Sequence, residues 1–394
     1  TFNFAGGSFG TGNATINSGG TFNLASGSFN AGTVTVNSGA TFNYTGGTFG
    51  TGNVALSGTL QLQGHSITYS SAHITGSGTI QNGSTTTAST LTFSPATSDS
   101  FAGTIADGST APMNVTLTSG TFTLSGSNSY SGTTTVQSNA TLKAGTFSTF
   151  SINSPVNLTG GTLDTQGFQN LIFSLTGTSA STVNINSNGQ LFVDSSGANT
   201  TYSGAFTGSG EFILNGSNTL TLSGSGATST FTGFILVEGS GTLAAGAIDG
   251  IPTNYVELTS ATTSLSIPFN QHIATLVSDR FNPIILANSA SLFVGASNNN
   301  SSVGGNFSGT GTLVKNGSGN LTIGFGSTDT NANTGSNVAI TVNTGTLTLN
   351  KAPATVAVAG NLLINGGTVI LDAFNQIAST STVDIEGGTL NLNC

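Results

Sequence analysis

At 394 residues the chain is only 4% charged, with 4 basic and 13 acidic side chains, a formal net charge of −9 and 57 glycines. Its cations, Lys143, Arg280, Lys315 and Lys351, are too few and too scattered to neutralise a phosphate backbone, which excludes nucleic acid as a partner. The single cysteine, Cys394, excludes an internal disulfide framework and a zinc cluster; it is either an inert thiol or an intermolecular link.

Low charge alone would fit disorder, but a hydrophobic fraction of 36% and 25 phenylalanines at regular intervals indicate a folded β chain. No secretory leader is visible at the start, and no apolar run reaches the ~20 residues of a membrane helix. Both ends lie inside a repeat, so the chain reads as a segment of something longer or as the ordered part of a processed product.

The repeat is visible from the first residue. Residues 1–20 align on residues 21–40 with Phe2 on Phe22, Phe4 on Leu24, Phe9 on Phe29, Ala14 on Val34 and Ile16 on Val36. Phe42, Tyr44, Phe49 and Val54 continue the series. Each unit holds three short runs (TFNF, SF and NATIN in the first) separated by Gly, Ser or Asn. Within a run apolar residues alternate with Thr or Asn, as in a strand with one buried face, and the separators supply the positive φ of corners. A phrase of Gly or Ala, Thr and a hydrophobic residue marks the period. It reads Gly20-Thr21-Phe22, Ala40-Thr41-Phe42, Gly58-Thr59-Leu60 and Gly78-Thr79-Ile80, with Gly103-Thr104-Ile105 off the beat. It resumes at Gly120-Thr121-Phe122, Ala140-Thr141-Leu142 and Gly161-Thr162-Leu163, and closes with Gly345-Thr346-Leu347, Gly367-Thr368-Val369 and Gly388-Thr389-Leu390.

Three strands and three corners per ~20 residues predict a right-handed parallel β-helix, a β-solenoid running without a domain break over 1–394. Residues 248–300, with Pro252, Pro268 and Pro283, are expected to be less regular coils with longer loops.

Residues 121–145, 205–243 and 307–350 carry a longer pattern. Gly309, Gly311, Leu313, Lys315, Gly317, Gly319, Leu321 and Ile323 form its first half, and Ser125 through Gly132 with Thr135-Val136 its second. Together with residues 361–393 these stretches resemble the autotransporter-associated β-strand repeat. They depart from it at 215–217, where Asn-Gly-Ser replaces the Lys-x-Gly step, and at 325–337, where a polar insertion replaces the Asn-x-Tyr element. The resemblance implies a secreted passenger of the bacterial cell surface, normally carried by a C-terminal outer-membrane barrel that these residues do not contain.

Candidates for catalysis are sparse. His65, His73 and His272 are the only histidines, with no Cys or carboxylate near the first two in sequence. No nucleophile elbow and no calcium-binding nonapeptide occurs. Asp384 and Glu386 project from one strand face, with Val383 and Ile385 turned inward; Asp279-Arg280 reads as a surface ion pair. The Thr-x-Thr runs at Thr121, Thr133, Thr219 and Thr346 suggest flat hydroxyl arrays, but Gln61, Asp164 and Asn391 interrupt their columns. The expectation is a non-enzyme without catalytic, cofactor or metal residues: a structural or adhesive extracellular rod. Its partners would be copies of itself or continuing coils at its ends, and host or matrix glycans along its sides. The alternative is a carbohydrate-active enzyme on the same fold, which requires Asp164, Asp194, Glu211 and Arg280 to converge in a groove.

Overall fold

Each apolar–hydroxyl run becomes a strand, and each strand pairs in parallel with its equivalent one repeat away. The computed structural model describes residues 1–393 except 51, 70–72, 196, 225–228, 253–254, 280, 305 and 334–336. It is all-β, a β-solenoid of about 18 turns, with no α-helix among the described residues. The chain forms two compact units, Thr1–Phe192 and Val193–Cys394.

In the first unit, strand Phe2–Phe9 pairs with Thr21–Phe29, placing Phe2 against Phe22, Asn3 against Asn23 and Phe4 against Leu24. These two strands fuse the first two runs of their coils, and a register shift between Ala5 and Ser8 takes up the corner. In the next coil the three runs are separate strands, Thr41–Tyr44, Thr48–Phe49 and Asn53–Leu56. The recurring threonine stays in register through Thr21, Thr41, Thr59, Thr79 and Thr104. The phrase at Gly103 is therefore on the beat in space. Its longer interval is absorbed where Asn82 to Ser89 loop out at a corner. A second threonine column runs through Thr121, Thr141, Thr162 and Thr182.

Ladder pairing forces the hydrophobic partner of each threonine into an interior column. Phe2, Phe22 and Phe42 stack with ring centroids 5.4 and 5.1 Å apart and planes within 20°. That separation is close to the strand spacing itself, so the coil pitch sets the aromatic contact. In the second unit Leu220, Leu243, Leu265, Ile284 and Phe307 form a comparable buried column. Coils over 248–300 superpose Tyr255 on Thr275 and Leu265 on Ile284, offsets of 20 and 19 residues. A longer offset falls later, where Leu313 meets Ile340 and the intervening chain includes a 3₁₀ turn at Gly326–Thr328.

Two devices close the corners. Gly317, Gly345 and Gly367 hold φ of 72°, 74° and 73°, and a Cβ on Gly345 would stand 2.3 Å from the Gly317 carbonyl oxygen. Buried amides do the rest. Asn82, fully inaccessible, accepts from the Gly64 N–H and the Ser89 hydroxyl, and its Nδ2 donates to the carbonyls of Thr87, Ala111 and Pro112. Gln271 and Gln376 serve later corners in the same way, each accepting one backbone N–H and donating to two carbonyls.

Two substitutions separate these devices from the surface. Gly345→Ala, forced into a left-handed conformation against backbone, should cost about 1–3 kcal/mol in urea unfolding. Asn82→Leu strands several backbone groups at once and should cost about 2–3 kcal/mol or more. Asn37→Ala, on an exposed face, should stay within about 1 kcal/mol. Equal losses for Asn82→Leu and Asn37→Ala would refute the corner role of the amides.

Candidate interaction surfaces and buried ionisable groups

Coil stacking, not sequence proximity, chooses the partners of the ionisable residues. His65 lies beside the Tyr44 ring, with centroids 5.1 Å apart. His73 Nδ1 is 3.2 Å from Asp99 Oδ2, a carboxylate 26 residues away that sequence spacing had not associated with it. His272 Nδ1 is 2.8 Å from Asp249 Oδ1, and its ring stacks on Phe293 at 4.4 Å and 9°. Each pair joins neighbouring coils and is partly exposed.

Asp164 is buried beside its own corner and accepts hydrogen bonds from the Gln166 backbone and side chain and from Asn186 Nδ2. Its carboxylate is committed to structure. Asp194 and Glu211 belong to the second unit. Arg280 and Cys394, which carried the ion-pair and cross-link expectations, lie outside the described residues. Asp384 lines a shallow groove with Thr312, Thr341, Asn361 and Thr382. On the same strand Val383 and Ile385 remain 37% and 48% exposed, since their interior column pairs with Leu362 and Ile364 on one side only among the described strands. Among the described residues no group of three or more His, Cys, Asp or Glu is placed to hold a metal ion, and no helix is long and apolar enough to cross a membrane.

Two lysines are turned inside. Lys315 stands in an inward column between Val294 and Val342, and its Nζ donates to the carbonyls of Asn316 (2.6 Å), Gly317 (2.7 Å) and Thr344 (3.3 Å). The ammonium thus does for a glycine corner what the amides do elsewhere. Lys351 Nζ donates to the Gly304 carbonyl at 2.7 Å and lies 3.5 Å from Asp329 Oδ2, both side chains inaccessible. Burial pushes both amines below the ordinary lysine value; at Lys351 the Asp329 carboxylate opposes that shift. The pattern of alternating glycines around Lys315 was legible in sequence, but the inward turn of its side chain was not.

Outward faces are mostly hydroxyl and amide. Asn3, Asn23 and Asn43 are linked side chain to side chain at 2.6 and 2.8 Å, and Asn316, Asn343 and Asn365 at 2.9 Å each. The threonine arrays are interrupted as their columns suggest: Thr123 is followed by Lys143, Asp164 and Asn184. One face departs from this chemistry. Strands Glu211–Gly216, Phe234–Gly239 and Tyr255–Leu258 align Glu211, Phe234 and Tyr255 in one column, then Ile213, Leu236 and Glu257, then Asn215 and Glu238, with Ile213 itself buried. Phe234 is 46% exposed and meets Tyr255 edge to face at 5.0 Å. At the first coil, Phe2, Phe9, Ala14 and Ile16 line an open recess of about 490 Å³.

No protein-family model, no curated protein and no solved structure matches this chain.

The buried ionisable groups give stability a signed pH dependence. Folded Lys315 and Lys351 release protons at lower pH than the unfolded chain does, so stability rises with pH up to the ordinary lysine value of 10.5. Tyr69 and Tyr130 act oppositely: burial raises both phenols, Tyr130 to about 12, so stability falls once the unfolded chain ionises above 10.0. The melting temperature should climb towards pH 10 and drop beyond it, and Lys315→Met should reduce the climb while sparing the drop. An unchanged climb in that variant would show that the Lys315 ammonium is not strained by burial.

Proposed function

We propose that this chain is a structural or adhesive β-solenoid of the bacterial cell surface, akin to an autotransporter passenger, which extends by stacking coil on coil. The observation that carries this reading is the parallel ladder itself: from Thr21 to Thr104 and from Thr121 to Thr182 each coil pairs strand for strand with the next, beneath outward amide and hydroxyl columns. A stack built this way extends by adding coils of the same pitch, so the partner is a continuing solenoid or a second copy.

Support for the surface assignment comes from chemistry that withstands an exposed setting. With 4 basic residues in 394, of which Lys315 and Lys351 are inaccessible, trypsin-like proteases find few sites. The line from Gly309 to Ile323 that resembles the passenger repeat also has a physical role here, with Lys315 and Gly317 together forming a corner.

Electron microscopy of the purified chain over a range of concentrations tests the stacking. End-to-end filaments that lengthen with concentration are expected, and Phe2→Asp with Phe22→Asp should shorten them. Isolated short particles at every concentration would overturn the reading.

A further inference from the structure

We propose that Lys351 and Asp329 condense into an intramolecular amide, a covalent link between neighbouring coils of the second unit. The inference is independent of where the protein works and of end-to-end stacking.

Asp329 enters with the polar stretch 325–337, where the chain departs from its repeat, and it is the one ionisable side chain in that stretch. Both side chains of the pair are inaccessible, and Lys351 Nζ stands 3.5 Å from Asp329 Oδ2. Hydrogen bonds from the backbone hold them there. The Ala352 N–H donates to the Asp329 carbonyl at 2.9 Å, the Asp329 N–H to the Gly326 carbonyl at 3.0 Å, and the Lys351 N–H to Gln376 Oε1 at 2.8 Å. A nucleophile and a carboxyl fixed against one another react without the entropy cost of an encounter.

Lys315 shows how a buried ammonium is settled in this chain, with carbonyl oxygens accepting from it at 2.6, 2.7 and 3.3 Å. Lys351 has one short bond, to the Gly304 carbonyl at 2.7 Å. Its contact with Asp329 is longer than the about 2.7–2.9 Å of a charge-assisted hydrogen bond. As an ion pair the two keep both charges in an inaccessible site, where desolvation works against them. Condensation removes both charges. Burial, which already holds the Lys351 amine below its ordinary value, favours that neutral product.

Each atom at the site has a place in the step. One ammonium proton passes from Nζ to Asp329 Oδ2. The freed lone pair attacks Cγ, and the carbonyl electrons move onto Oδ1, which accepts from the Asn331 N–H at 3.2 Å. A second proton follows to Oδ2, the Cγ–Oδ2 bond breaks, electrons return from Oδ1, and water leaves. The Nζ–Cγ amide keeps one N–H, and the Gly304 carbonyl already stands in position to accept it. No oxidant or other reactant is consumed. The bond joins residues 22 apart, beside the long offset that pairs Leu313 with Ile340, and restricts the unfolded chain as a disulfide of that span does. Once joined, Lys351 no longer titrates, and Lys315 alone carries the lysine part of the rise in stability with pH.

Mass spectrometry of the full chain, folded at neutral pH and then denatured, tests the bond. The expected mass is one water below that of the sequence, and digestion should yield a branched peptide joining Asp329 to Lys351. Lys351→Arg, which keeps the charge but lacks the nucleophilic amine, should return to the full mass of its sequence. The measurement on the parent chain decides the matter even where that variant folds poorly. The proposal is overturned if the parent has the full mass of its sequence, if the missing water maps to other residues such as a succinimide at an Asn-Gly step, or if Lys351→Arg still loses it.

Discussion

Most described strands of this solenoid complete their hydrogen bonding with the equivalent strands of neighbouring coils, and this repeated pairing forces equivalent residues to superpose. A side chain is therefore never placed alone. It is placed in a column with a spacing of about 4.8 Å. Phe22 must lie against Phe2 and Phe42, and Asn23 against Asn3 and Asn43, because the backbone beneath them is paired. Interior columns gain from this, since aromatic and aliphatic groups at that separation are in van der Waals contact. Amide columns gain as well, each Nδ2 meeting the Oδ1 of its neighbour.

The same superposition explains the scarcity of charge. A like charge repeated at each coil would sit some 5 Å from its copies, costing about 1 kcal/mol per pair even in water. Threonine and asparagine avoid that penalty. Where charges do occur, they are offset or opposed. Lys143 lies between Thr123 and Asp164 in its column, and the three glutamates of the aromatic face occupy staggered positions. A composition this poor in charge is thus what a stacked fold tolerates.

Corners are where the ladder fails and other groups must substitute for it. A corner residue leaves backbone groups that no coil neighbour satisfies, and burying them unpaired would cost about 1–3 kcal/mol each. Asn82, Gln271 and Gln376 meet that need with amides that both accept and donate. Lys315 meets it with an ammonium among three carbonyls, at the expense of desolvating a charge. Local sequence marks Lys315 only through the glycine pattern around it. The buried amides carry no such mark, because Asn and Gln in a chain this rich in both give no local sign of facing inward.

Periodicity alone determined the strands, the coil pitch, the interior columns and the outward hydroxyl and amide faces, because a period-2 run repeated every ~20 residues has few other ways to bury its apolar side. It could not determine which residue meets which when loop lengths vary. The phrase at Gly103 looks displaced along the chain yet sits in register, because a loop at 82–89 absorbs the surplus. His73 finds Asp99 and Phe234 finds Tyr255 only once the coils are stacked. Those pairings depend on the exact registry of neighbouring coils, which the backbone ladder sets and local sequence does not encode.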